Sequence, residues 1–221
     1  MNNQSFSLPV GPSIGEVSAE LIVPDDPYCI ITLAHGAGAG MDNWFMVELG
    51  NELANKGIAN LRFNFPAAEQ KKFRPDVPAV AHKTIAAAID RAYQLFPGLP
   101  LFVSGKSFGG RMSSQLLSAH PDERVQGIIV FGFPLHPAKK PSIDRAEHLK
   151  GVKIPVLFLQ GTKDELATLE LIESVCASLS NATLIKIEKA NHMFKVGKEN
   201  IVAQLAGEVD KWLRTQTRAA I

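Results

Sequence analysis

From Tyr28 onward the chain alternates short, continuously apolar runs with stretches of helical spacing. Tyr28 to Ala34 (YCIITLA), Ile58 to Phe65 (IANLRFNF), Leu101 to Ser104, Val125 to Phe133 (VQGIIVFGF), Pro155 to Leu159 and Thr183 to Ile187 read as strands. Asn43 to Lys56, Val77 to Phe96, Phe108 to Ala119, Leu166 to Leu179 and Glu199 to Arg214 read as helices. A strand covered on both sides has no water-facing side, so it loses the apolar–polar alternation of a half-exposed strand. Strands regularly separated by helices build a parallel sheet with helices on both faces. Glu16 to Val23 does alternate, which suits a half-exposed antiparallel strand. Pro134 to Gly151, with three prolines, reads as an irregular loop. No repeat or linker interrupts the pattern, so residues 1–221 are expected to form one α/β domain. In such sheets ligands bind beyond the carboxyl ends of the strands, so the polar residues just past those ends matter most.

Two segments match G-x-S-x-G: Gly11-Pro12-Ser13-Ile14-Gly15 and Gly105-Lys106-Ser107-Phe108-Gly109. The motif presents a nucleophilic serine only on a strained turn between a strand and a helix. Ser107 has LFVSG before it and a helical stretch after it, whereas Ser13 is followed by a strand pattern and belongs to an N-terminal turn. Side chains at positions 105 and 109 would clash with the neighbouring strand and helix, hence the glycines. A serine hydroxyl needs a base, and the base needs an orienting acid. On a sheet of this kind their chain order is Ser, Asp or Glu, His. His192 follows the last strand and precedes the closing helix, and Asp164 follows the strand ending in PVLFLQG. Glu165 is the fallback acid, one residue nearer the helix. The oxyanion of an acyl-transfer intermediate needs backbone donors. Phe108, after the nucleophile, supplies one. The small-residue loop His35-Gly36-Ala37-Gly38-Ala39-Gly40 supplies the other, with Ala37 favoured and Gly36 next. Asn64 is a candidate brace for that loop.

Competing chemistries fit poorly. A dinucleotide fingerprint starting at Gly36 needs Gly or Ala where Met41 stands, and an acid where Asn64 and Phe65 stand. A phosphate-binding P-loop ending at Gly105-Lys106-Ser107 needs glycine at Pro100. No His or Cys pair has metal-ligand spacing, so neither a metal nor a cofactor is expected. The net charge of +1 is scattered and creates no field for nucleic acid or an anionic membrane. The expected partner is a small acyl substrate. No apolar stretch reaches membrane-spanning length, and MNNQSFSLPV lacks the basic and apolar regions of a secretory signal. Cys29 and Cys176 read as reduced core thiols, and the expected setting is cytoplasmic. Lys106, Arg111 and Arg62 lie near the expected site. Pairing with neighbouring acids is the common fate of such cations, and the sharper reading is a site for an acidic substrate such as a carboxylate ester. His136 and His148 are expected to be solvated loop residues, or else to rim the pocket.

The segments HGAGAGM at 35–41, RFNFP at 62–66, GKSFGGRMSS at 105–114, LHP at 135–137, EHL at 147–149, LQGTKD at 159–164 and ANHMF at 190–194 resemble the α/β hydrolase superfamily across nearly the whole chain. The likeness is nearest to the small Tex30-like and NSL-complex-subunit-like hydrolases, close to the dienelactone-hydrolase-like proteins. The resemblance implies an eight-stranded type of sheet and a Ser107, Asp164, His192 triad. The loop Pro134 to Gly151 is too short for a helical cap, so no cap domain is expected. Dienelactone hydrolases use a cysteine nucleophile, so Ser107 argues against that particular activity. Asp164 is followed by Glu-Leu-Ala where the group has Phe-Gly, so the turn carrying the acid is expected to differ locally. The expected function is a serine esterase or thioesterase with an open, shallow site. The alternatives are a non-catalytic interaction module on the same fold, or an acyltransferase or peptidase using the same triad.

Overall fold

The computed structural model describes residues 1–218. Strands β1 (Asn2–Gly11) and β2 (Gly15–Val23) form an antiparallel hairpin. Strands β3 (Cys29–Ala34), β4 (Ile58–Phe63), β5 (Leu101–Lys106), β6 (Val125–Phe131), β7 (Val156–Gly161) and β8 (Ala182–Ile187) run parallel to one another. The sheet order is β1-β2-β4-β3-β5-β6-β7-β8, with β2 antiparallel to β4. The helices are α1 (Trp44–Asn55), α2 (Pro66–Glu69), α3 (Pro78–Leu95), α4 (Phe108–Ala119), α5 (Leu169–Ala177) and α6 (Val202–Arg218). Every residue of β3, β4, β5 and β7 is buried, as the unbroken apolar runs require. Helices α1 and α6 pack on one face through Leu49, Leu53, Leu205 and Val209. Helices α3, α4 and α5 pack on the other through Ile85, Met112, Leu116 and Ile172.

After β3 the chain turns to one face and pairs β4 on one side. It then returns to place β5 on the other side of β3. The connections leaving β3 and β5 therefore diverge, which opens a crevice at their carboxyl ends. The loop His35–Gly40 and Ser107 both stand at that crevice. Between β6 and β7 there is only a loop ending in a short 3₁₀ helix (Asp144–Gly151), with no cap domain. Among the described residues no helix is long and apolar enough to cross a membrane.

The differences from the sequence reading have local causes. β1 was not expected, because an edge strand with Leu8 as its one fully buried side chain carries no apolar period. α2 has four residues, too few to show any period. α5 begins at Leu169 rather than Leu166, because the Leu166 N–H donates to Asp164 Oδ1 and holds the preceding residues in a turn. α6 begins at Val202 rather than Glu199, after Asn200 accepts from the Val202 N–H. Ser13 lies in the hairpin turn, with β4 and β3 between its hairpin and β5.

α4 can approach β3 only because position 109 lacks a side chain. A Cβ there would stand 2.5 Å from the Ala34 carbonyl oxygen and 2.7 Å from that of His35. Both obstacles are backbone, so neither yields cheaply. Gly109→Ala is therefore expected to destabilise the protein by at least about 3 kcal/mol in urea denaturation, and a change under about 0.5 kcal/mol would contradict this packing account.

Candidate active site

Ser107 is the residue between β5 and α4, and its backbone sits at φ 50° and ψ −111°. That region is sparsely populated for any residue with a side chain, and such strain persists only where the surroundings enforce it. Here the Ser107 N–H donates to the Phe131 carbonyl (3.0 Å), and the Arg111 N–H donates back to the Ser107 carbonyl (3.0 Å). The turn leaves the hydroxyl at the crevice. The Ser107 Oγ lies 2.8 Å from His192 Nε2. His192 Nδ1 lies 2.7 Å from Asp164 Oδ2. A carboxylate only accepts, so Nδ1 carries the proton and Nε2 is free to accept from the serine hydroxyl.

Three donors fix Asp164. Its Oδ2 accepts from His192 and from the Gln160 amide, and its Oδ1 accepts from the Leu166 N–H (2.8 Å). The Gln160 carbonyl oxygen accepts from the Phe133 N–H (2.9 Å), which sets the direction of its amide. Asp164 is only 5% exposed, so these partners replace the water it has lost. The sequence reading missed Gln160, although a lone amide inside the apolar run of β7 was the available signal.

The loop carrying His192 is held from both ends. Asn191 Oδ1 accepts from the N–H groups of Met193 and Lys195 (3.0 Å each). Phe194 stacks on Phe45 with ring centroids 5.8 Å apart, which anchors the loop in the core. Lys106, expected near substrate, points inward instead. It is 6% exposed, and its Nζ donates to the His192 carbonyl at 2.7 Å. The same ammonium lies 5.3 Å from the Phe194 ring centre. Gly132 makes room for this arrangement. Its φ is 67°, and a Cβ there would stand 3.2 Å from Lys106 Nζ and 3.6 Å from both Asp164 Oδ2 and His192 Cε1. Burial pushes the Lys106 ammonium down to about 8, although the negative charge of Asp164 opposes the shift.

The loop His35–Gly40 lies against the serine, since a Cβ on Gly36 would be 3.7 Å from Ser107 Cβ. As the first residue of α4, Phe108 has no acceptor within the helix for its N–H. Among the described residues the Ala37 N–H also has no hydrogen-bond acceptor. His35 stitches the loop to the start of α2, because its Nε2 accepts from the Phe65 N–H (3.0 Å) and its Nδ1 meets the Gly36 carbonyl (2.8 Å). Burial lowers its proton affinity and keeps that acceptor available. Asn64 also braces the loop, accepting from the Met41 N–H (2.8 Å). The brace at Asn64 follows the sequence reading; the one at His35 does not.

The remaining expected residues fall elsewhere. Arg62 is not a substrate contact: it is buried in β4 and its Nη2 pairs with Glu20 at 2.8 Å. Arg111 is half-buried on the first turn of α4. Glu165 is exposed and takes no part in holding His192. His136 is buried and His148 half-buried, and both are engaged by neighbours rather than free in solvent. His136 accepts from the Thr168 N–H (2.9 Å), and His148 meets Ser114 Oγ (2.8 Å). A groove of about 850 Å³ between the β1–β2 turn and α3 is lined by Ser13, the other motif serine, but by no histidine.

The lowered proton affinity of Lys106 has a measurable consequence. In the unfolded chain the ammonium titrates near 10.5, so between 8 and 10.5 the unfolded state binds more protons and stability rises with pH. In Lys106→Met this contribution is absent. The stability of the unaltered protein relative to Lys106→Met is expected to rise by on the order of 1–3 kcal/mol between about pH 7.5 and about pH 10.5, measured by urea denaturation; a flat difference would contradict the buried charge.

Residues 27–214 match the family model described as an alpha/beta hydrolase domain. A dienelactone hydrolase from Anabaena variabilis is similar in structure, with a TM-score of 0.79, 20% identity and 97% of each chain covered. An alpha-beta serine hydrolase homologue from Coxiella burnetii has a TM-score of 0.78 at 19% identity, covering 96% of this chain and 98% of its own. A serine hydrolase without a lid from Xanthomonas campestris has a TM-score of 0.75 at 20% identity, covering 97% and 95%. At these identities the structural likenesses speak for the fold alone. With the family model matched over most of its length, the chain belongs to the alpha/beta hydrolase domain family.

Proposed function

We propose that the protein is a serine hydrolase that cleaves an acyl ester or thioester through an acyl-enzyme intermediate. The observation that carries this reading is the unbroken line from Ser107 Oγ through His192 to Asp164, at 2.8 and 2.7 Å. Ser107 attacks the substrate carbonyl while His192 Nε2 takes its proton. Asp164 holds the imidazole and stabilises the cation that forms. The N–H groups of Phe108 and Ala37, with Gly36 beside them, receive the developing oxyanion; losing one such donor costs about 2.7–4 kcal/mol in related chemistry. His192 then gives its proton to the departing alcohol or thiol. Water attacks the acyl-enzyme by the same route, releasing the acid and restoring Ser107.

No cap domain stands between β6 and β7, and Trp44, Phe73, Val77, Ile143 and Met193 are exposed in segments that follow parallel strands. The missing cap supports broad, modest esterase activity over one enclosed substrate. Within the family, the motifs around positions 35, 105 and 190 support a place near the small Tex30-like hydrolases. A reducing, cytoplasmic setting is supported by Cys29 and Cys176, both buried and free. A non-catalytic interaction module would be favoured by a His192 beyond reach of its partners, but it lies within hydrogen-bond distance of both.

The test is turnover of p-nitrophenyl esters, acyl thioesters and aminoacyl amides by the unaltered protein and two variants. Esters or thioesters are expected to be cleaved, with kcat/KM lowered about 10⁴–10⁶-fold in Ser107→Ala and about 10⁴-fold in Asp164→Asn. Turnover confined to the amides would replace the esterase reading with a peptidase. Turnover unaffected by Ser107→Ala would overturn the proposed nucleophile.

A further inference from the structure

The first turn of α4 carries an arginine that the hydrolytic machinery does not use. Ser107, Arg111, Ser114 and Ser118 lie along one face of this helix, at spacings of three or four residues. That face packs against the 3₁₀ helix Asp144–Gly151. Ser114 Oγ meets His148 Nε2 at 2.8 Å, and Ser118 Oγ donates to the His148 carbonyl at 2.6 Å. Arg111 precedes Ser114 by one turn and Arg145 precedes His148 by three residues, so this packing sets the two arginines on the same seam, and the charge of Arg145 acts on Arg111. Arg111 stands one turn after Ser107 on this face and is half-buried. Arg145 reaches back with a guanidinium N–H to the Pro134 carbonyl at 3.3 Å.

Neither arginine has a carboxylate within 4.0 Å among the described residues. The nearby acids are engaged elsewhere. Asp144 accepts from Ser142, Glu147 pairs with Lys150 at 2.8 Å, and Asp164 is filled by Gln160, Leu166 and His192. Burial, and then the like charge of Arg145, hold the Arg111 guanidinium below its ordinary proton affinity. His148 is pushed down to about 4, first by burial and then by Arg111, so it is neutral and brings no counter-charge. Two half-buried like charges without an acid are unfavourable on their own, and an anion placed between them relieves the repulsion.

We infer that Arg111 and Arg145 form an anion subsite beside Ser107, and that the preferred substrate is an ester whose acyl chain ends in a carboxylate. This rests on the serine-hydrolase reading of Ser107. A guanidinium presents paired N–H groups that match the two oxygens of a carboxylate, and a half-buried setting strengthens the pairing. The acyl carbonyl sits at Ser107 while the distal carboxylate meets the arginines. Hydrolysis takes up one water and releases a dicarboxylate and an alcohol.

The experiment compares mono-p-nitrophenyl adipate with p-nitrophenyl hexanoate, which has the same chain length without the charge. The ratio of their kcat/KM values is expected to favour the adipate by about tenfold or more, and to fall toward one in Arg111→Met and in Arg111→Met/Arg145→Met. A ratio near one in the unaltered protein, or a preference retained in the double variant, overturns the subsite. Adipate itself gives a readout independent of turnover. It is expected to raise the Tm of Ser107→Ala, and to lose that effect when Arg111→Met is added. Tm protection without hydrolysis of either ester upholds the subsite and defeats the hydrolase reading. Hydrolysis of hexanoate with neither preference nor protection does the reverse.

Discussion

The close crossing of α4 over the carboxyl end of β3 is the contact on which the rest of the site depends. Ser107 can hold φ 50° and ψ −111° only while β5, β6 and α4 keep it there. α4 reaches that position because Gly109 lets its backbone lie against the Ala34 and His35 carbonyls, and because Gly105 lies against the backbone of Gly109 and Gly110. One local approach of backbone to backbone therefore sets three things together. It places the serine hydroxyl in the crevice, frees the Phe108 N–H at a helix start, and brings the Gly36–Ala37 loop against Ser107. The strain sits where the switch in strand order opens the sheet, so it costs no strand pairing.

The opposite wall is built by a different kind of interaction. His192 stands on a loop after an edge strand, and an unsupported loop would not hold an imidazole between two partners. The support is polar and buried. Lys106 ties the His192 carbonyl, Gln160 turns Asp164 toward the ring, and Gly132 leaves the volume they occupy. A buried ammonium and a buried carboxylate are expensive alone, so their mutual proximity and hydrogen bonds matter for order as much as for energy. Lys106, the residue before Ser107, thus steadies the His192 loop.

What was legible in the sequence followed from how much of each element is buried. β3, β5 and β7 announce themselves because both faces are covered, and α4 because its periodic face and its flanking strand agree. The edge strand β1 and the four-residue α2 left no such trace. Ser107, Asp164 and His192 could be placed because each follows a strand end in a fixed chain order, and the structure brings the three within hydrogen-bond distance. Cations were read less well. A sequence places Lys106, Arg62 and Arg111 near one edge, but the direction of a long side chain depends on packing. Lys106 turned to the His192 carbonyl, Arg62 to Glu20, and Arg111 to no acid among the described residues. The same applies to His35 and Gln160, whose roles arise from partners distant in the chain.

The central claim is that this geometry makes Ser107, and not the other motif serine, a nucleophile. Mass spectrometry of the protein after exposure to a fluorophosphonate tests it most directly. One covalent adduct is predicted, on the peptide bearing Ser107, absent in Ser107→Ala and strongly slowed in His192→Ala. No adduct, or an adduct at Ser13 or elsewhere that survives Ser107→Ala, would contradict the account.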